Sequence, residues 1–168
     1  GALLLSLFAF FRIQAGASAR LHELCDSYLR QELAASTLSL HYTFAQPEDY
    51  GMADYPVTLG SYSEQDFYDS LLLAENSLAV LDSIPLHVLS PADQITHRLL
   101  DYILSLTLDG ADWYYYQEPL SPTLGIQAQL PILLAEYAFY RESDVEDYLT
   151  LLECVPAYFQ SILDFEQA

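Results

Sequence analysis

Apolar residues recur at helical spacing in four stretches of the sequence, and this period restricts the fold more than any other feature. Residues at i, i+3 and i+4 share one face of an α-helix, so each stretch indicates an amphipathic helix. The four stripes are Leu21, Leu24, Cys25, Tyr28 and Leu33; Phe67, Leu71, Ala74, Leu78 and Leu81; Ile95, Leu99, Tyr102, Ile103 and Leu106; and Val145, Tyr148, Leu149, Leu152, Tyr158 and Phe159. Because proline interrupts helices, we expect a kink at Pro156 in the last one.

Start signals precede three of these stripes. Ser63 and the Ser90-Pro91 pair each offer a hydroxyl to the first free amides of a helix, and Ser143 with Glu146 forms a capping box. Gly110 follows the third stripe, where a left-handed residue would end the helix. Caps, stripes and stops agree, and the sequence predicts an all-α fold, an irregular array of helices.

The stretch Thr37–Phe44 is the one place where two periods compete. It alternates polar and apolar residues as a strand does, and Tyr55–Tyr62 could supply a short partner. The same residues also continue the apolar face of the first helix. We favour the helix and leave the strand open, while prolines and glycines predict a loop from Ala45 to Gly60.

A segment without charge runs between Glu118 and Glu136 in an otherwise acidic chain. Its prolines predict a long extended or turn-like segment around residues 111–130, followed by a helix that begins at Pro131. We expect Gln127 and Gln129 to be at least partly buried and to hydrogen-bond to main chain. Alternatively, the segment is one wall of a groove that offers these amides to a peptide.

Four aromatic residues, Trp113 to Tyr116, lie immediately before this segment. Rings with polar tips suit a peptide or sugar surface, and they suit a half-buried loop equally well. The sequence therefore gives four candidate substrate-cleft residues, which are Tyr115, Tyr116, Gln127 and Gln129.

Length and charge limit the class of protein. The chain has 168 residues, enough for one domain, and a formal net charge of −19. Such a charge repels nucleic acid and anionic membrane surfaces, so no nucleic-acid partner is expected. Cys25 and Cys154 are far apart in sequence, and we expect two buried free thiols.

The N-terminus resembles a processing segment. Ala2–Phe11 is an apolar run too short to span a bilayer, and Ala17-Ser18-Ala19 fits a small-x-small cleavage site. We therefore interpret residues 1–19 as a leader or a membrane-proximal apolar segment, which places the protein outside the cytoplasm. The alternative is an ordinary buried helix.

Motifs for catalysis or metal binding are incomplete. His22-Glu23 begins like a zinc-binding HExxH motif, but position 26 is Asp26. The sequence also lacks a nucleophile signature and a glycine-rich phosphate loop. We assign no catalytic residue, metal ligand or cofactor to this chain.

Three stretches carry a family resemblance: "LHYTFAQPEDYG", "YPVTLGSYS" and the long run from Tyr114 to Leu152. Together they resemble the N-terminal part of the bacterial domain of unknown function 885 family. Members of that family are longer, mostly helical proteins that resemble zinc metallopeptidases. They carry an HExxH-type motif, commonly HEGYPGH, in their C-terminal half.

The resemblance implies that residues 20–168 are the helical N-terminal portion of a larger domain. Its partners would be the remainder of its own chain and a peptide substrate, and zinc would be the cofactor of the full-length parent. The sequence stops at Ala168, before any such motif, so this chain would not be catalytic by itself. The implied bacterial parent is secreted or anchored to a membrane through residues 2–11. The alternative is a non-enzymatic helical binding module that shares the fold.

Overall fold

The computed structural model describes the backbone of residues 2–168 and the side chains from Phe11 onward. The described residues form helices and no strands, which confirms the all-α prediction. The α-helices are α1 (Ala2–Ala34), α2 (Thr37–Thr43), α3 (Glu64–Asp82), α4 (Pro91–Asp109), α5 (Ile126–Ala135) and α6 (Ser143–Gln167). Short 3₁₀ helices cover Pro47–Tyr50, Leu86–Val88 and Ala111–Tyr116.

The chain divides into two compact units. Unit 1 comprises residues 1–29 and 68–112, and unit 2 comprises residues 30–67 and 113–168. The divisions fall inside α1 and α3, so each of these helices contributes residues to both units.

Unit 1 has one hydrophobic core, built from α1, α3, the loop after α3, and α4. Its buried members include residues of the first two stripes, which confirms that both helices pack through the predicted faces. The buried residues of this core are Ala17, Leu21, Leu24, Ala74, Leu81, Ile84, Val88, Leu89, Leu100 and Leu104.

The third stripe lies on the exposed face of α4, although such a stripe normally packs against a core. Ile95 is 70% exposed and Tyr102 is 64% exposed, and Leu99, Ile103 and Leu106 are exposed as well. The helix packs instead through Leu100 and Leu104, which follow one another at i, i+4. Because α4 carries apolar residues on two faces, its period alone does not decide which face is buried.

Serine caps begin α3 and α4 as predicted. The Ser63 hydroxyl accepts a hydrogen bond from the Asp66 N–H at 3.1 Å, and Ser90 does the same for Asp93 at 3.1 Å. Gly110 ends α4, but with right-handed angles (φ −76°, ψ −5°), so the predicted left-handed residue is wrong. The physical reason is that the chain turns directly into the 3₁₀ helix Ala111–Tyr116, which needs a right-handed residue there.

Unit 2 contains two clusters of buried apolar residues. The larger one joins α2, the loop before α3, α5 and α6 through Leu38, Leu59, Leu130, Tyr137 and Leu151. The smaller one contains Leu33, Leu40 and Met52.

Residues Thr37–Thr43 form the separate helix α2, which decides between the two periods, and Phe44 after it is extended. Ser36 caps α2 by accepting a hydrogen bond from the Ser39 N–H. The loop at Tyr55–Tyr62 forms no strand; instead, Thr37 and Thr58 exchange hydrogen bonds at 2.8 Å. Thr37 is buried, so these bonds fix the loop against the start of α2.

The charge-free segment is less extended than predicted. The turn region covers only residues 117–125, because Ala111–Tyr116 is a 3₁₀ helix and α5 begins at Ile126 rather than Pro131. Residues 119–126 form a closed turn, in which the N–H of Ile126 donates to the Pro119 carbonyl at 2.9 Å, and the helix starts directly after it. Pro131 then lies inside α5, which ends at Ala135.

Helix α6 begins without the predicted capping box. Its N-cap is Glu142, which makes no side-chain cap hydrogen bond. Asp144 turns back instead and accepts hydrogen bonds from the N–H groups of Tyr140 and Arg141, at 2.7 and 2.9 Å. The helix runs on through Pro156 and packs through Leu151, Ile162 and Phe165, while Val145, Leu149 and Leu152 of the fourth stripe are exposed.

Candidate functional site

The described residues of unit 2 form a groove on its surface. Its volume is about 460 Å³, within the range of small-ligand and peptide side-chain pockets. It is lined by Ser36, Leu38, Ser39, Tyr42, Leu59, Ile126, Leu130, Leu133 and Tyr158.

Four separate parts of the chain build this groove. Helix α2 and its cap form one side, and α5 supplies Ile126, Leu130 and Leu133. The loop before α3 adds Leu59, and α6 adds Tyr158. No acid or base is among the lining residues, so the groove can take an apolar group without desolvating an ion.

Tyr42 connects α2 to α5. Its hydroxyl donates to the main-chain carbonyl of Leu133 at 2.7 Å. That carbonyl is among the last four of α5, which have no donor within the helix, so the bond satisfies one of them. Burial raises the pKa of Tyr42, and the nearby charge of Glu136 raises it further. The hydroxyl is therefore neutral at physiological pH.

Tyr158 contributes a second neutral hydroxyl. Burial raises the pKa of Tyr158 to about 12, with a smaller contribution from Tyr62, whose ring centroid lies 6.1 Å away. With the hydroxyls of Ser36 and Ser39, the groove combines apolar walls with four neutral hydrogen-bonding groups.

The two glutamines predicted for the cleft are not among the groove residues. Both side chains are exposed, so the prediction that they are partly buried is wrong. The predicted hydrogen bonds to main chain are present: Gln127 donates to the Ser121 carbonyl and Gln129 to the Leu124 carbonyl, each at 2.8 Å. Their amides find main-chain acceptors in the adjacent turn, which does not require burial.

The turn leaves no room for a side chain at Gly125. A Cβ there would lie 2.4 Å from the Ser121 carbonyl oxygen and 2.2 Å from Oε1 of Gln127. The glycine N–H donates to the same Ser121 carbonyl at 3.0 Å. Gly125 and Gln127 therefore converge on one oxygen and close the turn before α5.

The two predicted tyrosines also lie outside the groove lining. The Tyr115 hydroxyl donates to Oε1 of Glu64 at 2.5 Å, and its ring stacks with that of Phe165. Tyr116 is 74% exposed and meets Trp113 edge to face, with centroids 4.9 Å apart. Whether any of the four candidate residues contacts a substrate stays a prediction.

Charged side chains form a network at the connection between α5 and α6. The buried Asp144 carboxylate receives the Arg141 guanidinium at 3.1 and 3.2 Å, and Arg141 also donates to Glu48 at 2.6 Å. Burial would raise the pKa of Asp144, but the hydrogen bonds from Tyr140 and Arg141 outweigh it and lower the pKa. No buried polar side-chain atom of the described residues lacks a hydrogen-bond partner, which is typical of a structural network.

Sequence reasoning missed most of the groove because its lining comes from positions far apart in the chain. Nothing in the sequence marks Leu38, Leu59 and Leu130 as binding residues, and leucines at such positions indicate an ordinary hydrophobic core. The available signal was the charge-free segment itself, since α5, which lies in it, supplies one wall.

No metal site is evident in the described part of the chain. Residues 11–168 bring no three His, Cys, Asp or Glu side chains together in an arrangement that could hold a metal ion. In the same part, none of the helices combines the length and the apolar character that crossing a membrane would require. Side chains of most of the Ala2–Phe11 run lie outside the described residues.

Both cysteines are free and partly buried. Burial raises the pKa of the Cys25 thiol, and the charges of Asp26 and Asp93 add to this. Cys154 lies 3.9 Å from the Val57 carbonyl oxygen. Cys25 packs against the hydrophobic core of unit 1, and a thiol with a raised pKa is a poor nucleophile.

Comparison of the chain with protein-family models, with curated proteins and with solved structures finds no match.

Proposed function

We propose that this chain is the N-terminal scaffold and part of the substrate cleft of an extracytoplasmic zinc-metallopeptidase-like protein. The observation that carries the proposal is the groove of unit 2, one wall of which is α5. Helix α5 lies in the stretch with the most specific resemblance to the bacterial domain of unknown function 885 family. An uncharged groove with hydroxyl groups suits a peptide, which presents apolar side chains and main-chain amides.

The remainder of the parent chain is the partner that we propose for α4. Exposed apolar patches of this kind mark interaction surfaces in soluble proteins, and five large side chains contribute to this one. Replacing Leu99 and Tyr102 by glutamine in the parent should lower its soluble yield and its activity. Replacing the neighbouring Arg98 and Asp101 by glutamine, which leaves the apolar stripe intact, is the matched control.

Zinc belongs in this proposal to the parent's HExxH-type motif, and we assign no zinc ligand to the residues described here. The leader over residues 1–19 is likewise part of the proposal, as is secretion or anchorage through residues 2–11. Two contacts in unit 1 favour the alternative that this segment is a buried helix. Ala17 is buried in the core, and the Ser18 hydroxyl donates to Asp93 at 2.7 Å.

Reading the coding sequence past Ala168 is the first test. An HExxH-type motif with a further ligand supports the enzyme, and a downstream sequence without one overturns it in favour of a non-enzymatic helical binding module. The second test is peptide hydrolysis. The parent should cleave peptides in a chelator-sensitive manner, whereas the purified 168-residue chain should not. Chelator-sensitive cleavage by the 168-residue chain itself would contradict the scaffold role.

A further inference from the structure

We infer that the groove of unit 2 binds the apolar side chains of a cationic peptide. This inference rests on the proposed function and names the substrate class that the cleft would take. It follows from two independent properties of the described residues: the chemistry of the groove lining and the charge of the unit that surrounds it.

The lining determines what enters the groove. Leu38, Leu59 and Leu130 are buried apolar residues, and no lining side chain carries a charge. An ion placed among them would lose its hydration without gaining a counter-charge, so the inserted part of the ligand must be uncharged. The volume of about 460 Å³ exceeds that of one leucine side chain, so the groove has room for more than one apolar side chain.

The surroundings determine which charge the rest of the ligand carries. Unit 2 contains 15 aspartates and glutamates and two arginines, a formal net charge of −13. One of these arginines, Arg141, is held by Glu48 and Asp144 and is therefore already neutralised. A field of this sign attracts cations and repels acidic peptides.

Glu136 places one of these acids close to the groove. It is the residue after α5, and its charge acts on Tyr42, whose hydroxyl group bonds to Leu133 in the wall of the groove. A lysine, an arginine or a free α-amino group beside the inserted side chains would meet this carboxylate. Exposed hydroxyls such as that of Ser39 can bond to the peptide main chain.

Isothermal titration calorimetry with three matched peptides tests the inference on the purified chain. One peptide has a pair of leucines flanked by arginines, the second has the same leucines flanked by glutamates, and the third has serines between arginines. We expect the first to bind about tenfold more tightly than either other peptide. Raising the salt from about 50 to about 300 mM should weaken its binding, because salt screens the field.

Two variants separate the groove from the rest of the surface. Ser39→Trp fills the groove from an exposed position on α2, and it should reduce binding of the arginine–leucine peptide about tenfold. Thr43→Trp, at an exposed position on the same helix outside the lining, should leave binding unchanged. Circular dichroism checks that both variants fold. If Ser39→Trp does not fold, Glu136→Gln replaces it, because this variant removes only the charge beside the groove. Glu136→Gln should reduce the preference for the arginine-flanked peptide over the glutamate-flanked one.

Several outcomes would overturn the inference. If the glutamate-flanked peptide binds as tightly as the arginine-flanked one, charge does not select the ligand, and the proposed peptide cleft still stands. Unchanged binding by Ser39→Trp would place the peptide elsewhere, as would an unchanged preference in Glu136→Gln. Failure of all three peptides to bind would also overturn it, while the proposed function is judged separately by the downstream motif and the parent's chelator-sensitive cleavage.

Discussion

The imidazole of His41 lies flat against the ring of Tyr137, with centroids 3.7 Å apart and planes inclined by 8°. The rings of Tyr42 and Tyr140 lie near it as well, each with its centroid 5.7 Å away. Burial lowers the pKa of His41, although the charge of Asp144 and a hydrogen bond with the main chain of Ala138 act in the opposite direction. The folded protein therefore favours the neutral imidazole.

Stability should consequently fall as the solution becomes mildly acidic. The pKa of His41 is lower in the folded state than in the unfolded state, so the unfolded chain takes up the proton first. The contribution of the neutral ring is fully present above the unfolded value of about 6.5 and is lost as pH falls through the folded pKa. Urea unfolding between about pH 8 and pH 5 measures this. His41→Gln should flatten the dependence, whereas His87→Gln, at an exposed histidine, should not. An equal slope in wild type and His41→Gln would contradict the prediction.

Removing the Asp144 carboxylate should destabilise unit 2 strongly. Asp144 is 2% exposed and accepts two main-chain and two guanidinium hydrogen bonds. Removing one partner of a buried charged pair costs about 3–5 kcal/mol of folding stability. We expect Asp144→Ala to lower the free energy of unfolding by about 3 kcal/mol, because Arg141 is only partly buried. Glu146→Ala, at an exposed acid of the same helix, is the control, and chemical denaturation is the measurement.

Because of the same carboxylate, we expect a second loss of stability at lower pH. Its pKa is lower in the folded state, so its contribution is present above the unfolded value of about 3.9 and is lost as pH falls through the folded pKa. A wild-type protein that loses no more stability than Asp144→Ala below about pH 4 would show that the carboxylate is not held as described.

Gln127→Leu and Gln129→Leu should each lower the free energy of unfolding by about 0.5–1 kcal/mol, since each loses one exposed side-chain hydrogen bond to the turn. Ala128→Leu, between them on an exposed position of α5, is the control and should change little. If the glutamines serve the turn, parent activity should be nearly unchanged in the folded variants. Weaker peptide binding without loss of stability would instead place them in the cleft.

Two glycine substitutions should have opposite effects. Gly125→Ala brings a Cβ within 2.4 Å of the Ser121 carbonyl oxygen, and overpacking of this kind costs about 1–3 kcal/mol. Gly16→Ala meets no atom within 4 Å and lies inside α1, so we expect it to stabilise the protein by about 0.5–1 kcal/mol. Thermal melts of the two variants, recorded together, check both signs, and a stabilised Gly125→Ala would contradict the turn geometry.

Deleting residues 1–19 should preserve a cooperative transition at somewhat lower stability. The deletion removes the buried methyl group of Ala17 and the Ser18 hydrogen bond to Asp93, together about 1–2 kcal/mol. Deleting residues 1–16 keeps both contacts and should cost less. Loss of the cooperative transition in both variants would show that the segment is a core helix instead of a leader.

Local signals in the sequence predicted where helices begin more accurately than which of their faces are buried. Ser63 and Ser90 act as caps because capping needs only groups three residues apart. The burial of Leu100 in place of Leu99 depends on which face of α4 meets α1 and α3, and neighbouring positions on a helix give no information about that. The start of α5 at Ile126 depends on the turn before it, which is closed by hydrogen bonds to the carbonyls of Pro119 and Ser121.

The groove could be predicted only in part, for a related reason. An uncharged segment indicated a wall, and α5 supplies one, but Tyr42 and Tyr158 join it from helices distant in sequence. Gln127 and Gln129 were chosen for their amides, which the adjacent turn already engages.

Unit 2 is assembled from two stretches of chain that are separated by the 45 residues of positions 68–112. Hydrogen bonds that join these stretches connect residues 51 to 99 positions apart, and the longest include Tyr42 with Leu133 and Tyr62 with Ser161. Closing such long loops costs conformational entropy before any contact repays it, which raises the contact order and slows folding. On the ribosome, residues 30–67 must wait for α5 and α6 to emerge, and Leu38 and Leu59, which pack with those helices, stay uncovered until then. We therefore expect the nascent chain to depend on chaperones during that interval.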